Sequence, residues 1–146
     1  MLNLGKQEIY ITQSADNSKC QLVIQGDDHS VYAYFLNNSG EVEFDGFLCS
    51  RGTLVESSEE VRNFIENSQN PPLTKSFANE FSIHEELVAD DISIDWQKNI
   101  IRISIKQIEY LIFDLVNKKA YSKSIKYDGP YGLRIEDYSD LKIVKN

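Results

Sequence analysis

The chain has 146 residues, with 15 Lys plus Arg against 23 Asp plus Glu and a formal net charge of −8. That length suits one domain whose core needs no disulfide or metal staples, and the charge disfavours nucleic acid and anionic membrane surfaces, which need neutralising Lys and Arg. Apolar residues at 41% and charged ones at 26% exclude global disorder, and eight Tyr with seven Phe tilt the chain toward strands.

The opening MLNLGKQEIYITQ has neither the basic region nor the apolar run of a secretory signal, and no apolar stretch reaches the roughly 18 residues of a membrane helix. A cytoplasmic protein is expected. Strands follow from short alternating runs. EIYITQ (8–13) and CQLVIQ (20–25) flank a polar turn, and HSVYAYFLN then pairs with EVEFDGFLCS through the turn residues Asn37, Asn38 and Gly40. Ser57 and Ser58 offer a cap to EEVRNFIENS, whose Val61, Phe64 and Ile65 share one face, so residues 58–67 are expected to be helical. Asn70, Pro71 and Pro72 end that helix. Residues 71–90 carry only a weak period and are expected to be irregular, with a short strand near Phe81 to Ile83.

From Asp91 the alternation returns. ISIDW and IIRISI form one hairpin, and EYLIFDL and KAYSKSIKY another; the tail has a Gly-Pro turn and a further short strand expected near Leu141 to Val144. No repeat and no Gly-, Ser- or Pro-rich linker divides residues 1–146, so a single domain is expected. The fold class is α+β, mostly β: about eight antiparallel strands in a curled sheet or two layers, with one short helix near 58–67.

Little in the chain points to catalysis. Only His29 and His84 are available as imidazole bases, no nucleophile motif surrounds a Ser or Cys, and the HEELV run lacks the second histidine of a zinc-protease helix. Of Asp27, Asp28 and His29 only Asp27 and His29 could converge on an extended strand, short of the three or four ligands a metal site needs, Cys20 and Cys49 lack metal spacing, and the seven glycines form no phosphate loop. No catalytic residue, metal ligand or cofactor is assigned, and the chain is not expected to be an enzyme.

The remaining signal is surface. Glu41, Glu43 and Asp45 alternate along one face of a strand, and continuing that face brings in Phe47, Cys49 and Arg51. Tyr32 and Tyr34 lie on the partner strand, Asp90, Asp91 and Asp95 repeat the acidic theme beside Glu85 and Glu86, and Glu136, Asp137 and Asp140 add a C-terminal patch. The candidate partner-binding set is therefore Tyr32, Tyr34, Glu41, Glu43, Asp45, Phe47, Asp90, Asp91 and Asp95, with acids steering a basic protein and tyrosines giving rigid contact area. The alternative is a small-molecule-binding β-barrel-like protein whose Tyr32, Tyr34, Phe44, Phe47 and Trp96 line a cavity. An exposed edge strand would also permit a homodimer in place of a monomer.

The string VYAYFLNNSGEVEFDGFLCSR, followed by NPPL and DDISIDW, resembles a family of small uncharacterised bacterial cytosolic proteins with an aromatic-rich hairpin, a PP segment and an acidic strand ending in Trp. The matching positions include Tyr32, Tyr34, Gly40, Asp45, Arg51, Pro71, Pro72, Asp91 and Trp96, while Cys49 and Ser50 stand where the resemblance would place Tyr-Asn. The resemblance implies no catalytic residues. In size, acidity and fold class the chain is also similar to the immunity proteins that bacteria pair with toxins, which implies that it neutralises a basic toxin domain.

Overall fold

The computed structural model describes residues 8–15, 19–68 and 70–138. Along them run strands β1 (Ile9–Ser14), β2 (Gln21–Gly26), β3 (Ser30–Leu36), β4 (Val42–Ser50) and β5 (Leu54–Val55), then helix α1 (Ser58–Glu66) and β6 (Leu73–Thr74). β7 (Ile92–Gln97), β8 (Ile100–Ile105), β9 (Ile108–Asp114), β10 (Lys119–Ser122) and β11 (Leu133–Arg134) follow. The eight longer strands are those the alternation predicts, and the chain is mostly β with one α-helix among the described residues. The strand expected near 141–144 lies outside the described residues. The one expected near Phe81 is a single parallel bridge between Ile83 and Ser50.

Two sheets form. β1-β2-β3-β4 is an antiparallel meander, and β11-β10-β9-β8-β7 is antiparallel except for the short parallel pairing of β10 with β11. Alternation places Leu22 and Ile24, Val31, Ala33 and Phe35 against Ile101, Ile103, Ile105, Leu111 and Phe113 of the other sheet, giving the two-layer core. No helix among the described residues is long and apolar enough to cross a membrane.

The sheets meet at both margins. On one side Trp96 Nε1 of β7 donates to Gln13 Oε1 of β1 at 2.9 Å. On the other, β4 and β10 approach so closely that a Cβ on Gly46 would lie 2.7 Å from Ala120 Cβ and 2.8 Å from Phe113 Cε1. Serines complete this seam in place of a backbone ladder. Ser122 Oγ donates to the Phe47 carbonyl and Ser124 Oγ to the Leu48 carbonyl, each at 2.7 Å, and Ser82 Oγ donates to the Ser124 carbonyl at 2.7 Å. All three serines are buried, so their hydroxyls answer carbonyls that water does not reach.

Two bulges break the alternation of β4. Phe47 pairs with Tyr32 but Cys49 with Val31, leaving Leu48 as an extra residue; likewise Phe44 pairs with Phe35 but Val42 with Leu36, leaving Glu43 extra. The face expected to run from Asp45 through Phe47, Cys49 and Arg51 is therefore interrupted. Cys49 turns into the inter-sheet core, where burial pushes its thiol up to about 12. Arg51 is buried too, its guanidinium donating to the Asp27 carbonyl at 3.2 Å and the Leu87 carbonyl at 2.8 Å.

Gly46→Ala is expected to lower stability by about 1–3 kcal/mol through overpacking at the seam, measured by chemical denaturation. Adding Ala120→Gly to the same chain removes the nearest contacting atom and should recover part of the loss; an unchanged Gly46→Ala midpoint would contradict the seam geometry.

Candidate functional site: a groove on the outer face of the first sheet

A third layer covers part of the outer face of β3 and β4. Tyr32, Phe47, Leu73, Ile125 and Tyr131 form its buried centre, with Tyr34, Leu54 and Phe77 packed around them. The rings touch in sequence: Tyr34 and Tyr32 lie with centroids 6.4 Å apart, Tyr32 and Phe47 5.3 Å, Phe47 and Tyr131 5.4 Å, and Tyr131 and Phe77 5.5 Å.

The Pro-Pro pair that ends the helix is what the tyrosines hold. Tyr32 Oη donates to the Pro71 carbonyl and Tyr131 Oη to the Pro72 carbonyl, both at 2.8 Å, while the Thr74 N–H donates to Tyr131 Oη at 3.2 Å. Proline contributes no N–H, so these carbonyls are the polar groups such a segment has left to satisfy. Tyr131 itself sits on a tight turn in which Gly129 and Gly132 exchange backbone hydrogen bonds at 3.0 Å. Gly132 has φ +127°, a backbone that a Cβ disfavours.

Helix α1 rests on this layer. Ser57 caps it by accepting from the Glu60 N–H at 3.3 Å, and Glu60 Oε1 accepts from the Glu56 N–H at 3.0 Å, so the expected capping serine is the first of the pair. None of its residues is fully buried: Val61 and Phe64 are half-buried, Phe64 packs edge-on to His29 with centroids 5.5 Å apart, and Ile65 is 57% exposed.

Between the helix, the Pro-Pro segment and the glycine turn lies a groove. A cavity of about 200 Å³ is bounded by Tyr34, Asp45, Ile65, Asn70, Pro71 and Pro130 over a floor of Tyr32 and Tyr131. A second, of about 280 Å³, continues past Asp45 to Lys119 and the turn residues, sharing Asp45, Pro130 and Tyr131 with the first. Asp45 remains accessible, and among the described residues no cation or hydrogen-bond donor reaches its carboxylate. Burial by the walls raises its pKa above the usual carboxylate range. Tyr34 is raised as well, first by burial and then by Asp45 and Asp27, with the Asn70 side chain pulling the other way.

Not all predicted residues gather here. Tyr34 and Asp45 line the groove and the largely buried Tyr32 forms part of its floor, whereas Phe47 is fully buried beneath it. Glu41 is exposed beside Asn37 at the hairpin tip, and Glu43, displaced by the bulge, pairs at 3.5 Å with Lys118 in the turn between β9 and β10. Asp95 lies on the outer face of the second sheet, accepting from Gln97 at 3.0 Å beside the Arg102–Glu109 pair. Asp91 accepts from the Val88 N–H at 3.2 Å, and Asp90 is exposed in the same turn. The two acidic rows are thus on different sheets. Nor do the five aromatics share a cavity, because Phe44 and Trp96 pack in the inter-sheet core on the other side of β3 and β4 from Tyr32, Tyr34 and Phe47.

Sequence reasoning missed Ile65, Asn70, Pro71, Pro130 and Tyr131 as groove residues. The NPPL and DGPYG runs were available as turn signals, but nothing local joins them. Comparison with protein-family models, with curated proteins and with solved structures finds no match to the chain.

Because the folded state holds the Asp45 proton more tightly than the unfolded chain, its contribution to stability is fullest below the unfolded pKa and is lost as pH rises through the folded one. Asp45→Asn should therefore melt higher than the wild type at neutral pH, by a margin that closes as the pH falls from about 6 to about 3. Thermal melts across that range check this; a margin independent of pH would contradict it.

Proposed function

We propose that the chain is an acidic protein-binding module of the immunity type, which blocks a basic toxin domain by presenting the outer face of β3 and β4. The observation that carries this reading is Asp45, an accessible carboxylate set without a counter-ion among the described residues in a groove of tyrosine and proline side chains. A carboxylate partly removed from water costs stability in the free chain, and a cation supplied from outside offsets that cost. Glu41, exposed at the hairpin tip that precedes β4, adds to the field, and the net charge of −8 steers a basic partner toward the chain over a longer range.

The aromatic stack supports the same reading. Tyr34 rests on a fixed column of rings, so its exposed edge gives contact area at little entropic cost, a property of residues that dominate binding energy. Asp95, on the outer face of the second sheet, is assigned no part in this interface.

Capture from a lysate of the encoding organism is expected to yield one basic protein at about 50 mM salt and to lose it at about 500 mM. Glu41→Lys with Asp45→Lys should abolish capture, whereas Asp90→Lys with Asp95→Lys should leave it intact. Capture that survives the first pair, or that depends only on the second, would refute the assignment.

A further inference from the structure

Resting on that reading, we infer that the groove at Asp45 receives a single arginine side chain of the partner, its guanidinium lying against Tyr34 and paired with the Asp45 carboxylate. The cavity between Tyr34 and Asp45 holds about 200 Å³, room for one long side chain, and opens past Asp45 into the second cavity of about 280 Å³ that Lys119 lines. Its walls are Ile65, Pro71 and Pro130, which suit an aliphatic stem and offer no charge of their own.

Arginine fits this chemistry better than lysine. A guanidinium is more weakly hydrated than an ammonium, so it enters an apolar-walled groove at lower cost, and its flat face stacks on a tyrosine ring. The Asp45 carboxylate accepts no hydrogen bond from the described residues, so it is available to the two parallel N–H donors of a guanidinium, which an ammonium cannot match. Asn70, beside Tyr34 on the same wall, supplies an amide oxygen for a remaining donor. The column Tyr32–Phe47–Tyr131 holds Tyr34 from below, and the tyrosine hydroxyls that fasten Pro71 and Pro72 hold the wall, so the groove needs little reordering to accept its guest.

The test is an NMR titration of the full chain with Nα-acetyl-arginine amide, Nα-acetyl-lysine amide and the uncharged citrulline analogue. Arginine amide should shift Tyr34, Asn70 and the Ile65 methyls with millimolar affinity. Lysine amide should bind several-fold more weakly, and the citrulline analogue should leave those signals unmoved. Asp45→Asn should weaken arginine binding by about tenfold or more with an otherwise unchanged spectrum, and Tyr34→Leu, which keeps the apolar packing, should weaken it less. Equal response to arginine and citrulline amides, shifts that persist in Asp45→Asn, or shifts centred elsewhere would each overturn the inference. If the basic protein is captured yet arginine amide gives no shift, the pocket assignment fails while the binding-module reading stands; if arginine amide binds selectively and nothing is captured, the groove chemistry stands and the protein partner falls.

Discussion

The structure depends on the close approach of β4 to β10 at Gly46. A side chain there would strike Ala120 and Phe113, so the absence of a Cβ is what lets the margins of two sheets meet without a shared backbone ladder. The carbonyls left over by that arrangement are answered by the buried hydroxyls of Ser122 and Ser124, and Ser82 extends the stitching from the chain segment that passes beside them. Unsatisfied, each buried carbonyl would cost about 1–3 kcal/mol. The seam therefore trades apolar contact for hydrogen bonds at one margin, while the isoleucines of β8 and their neighbours supply the apolar core away from it.

The groove is a consequence of this seam. With β4 held against β10, its outer face and the turn that follows β10 converge, and Tyr131 arrives over Phe47 to meet the Pro-Pro segment. Helix α1 is then seated by the half-buried Val61 and Phe64, the latter against His29, with no residue fully enclosed. The same groove walls partly desolvate Asp45 and raise its pKa.

Much of the architecture was legible in the sequence because strand alternation and helix capping are local signals. Ile92, Ile94 and Trp96 alternate with Ser93 and Asp95, and the serine-then-acid start of α1 marks its boundary to within a residue. What escaped was not local. A bulge inserts one residue without changing composition, so the alternation alone carried Cys49 to the acidic face, and only the pairing register with Val31 returns it to the core. The third layer was invisible for a related reason: Tyr32 binds Pro71, and Tyr131 binds Pro72, across 39 and 59 residues of sequence with no periodicity to announce it. Of the predicted site, the acids and tyrosines on β3 and β4 were legible as a face, but which of them remain reachable was decided by that unannounced layer.

The proposed binding face is tested most directly by the amide hydrogen-exchange footprint that a captured basic protein leaves on the full chain. Exchange is expected to slow in residues 42–47, 61–68 and 129–133 on binding, with residues 92–105 unchanged. Protection confined to residues 92–105, on the outer face of the second sheet, would contradict it.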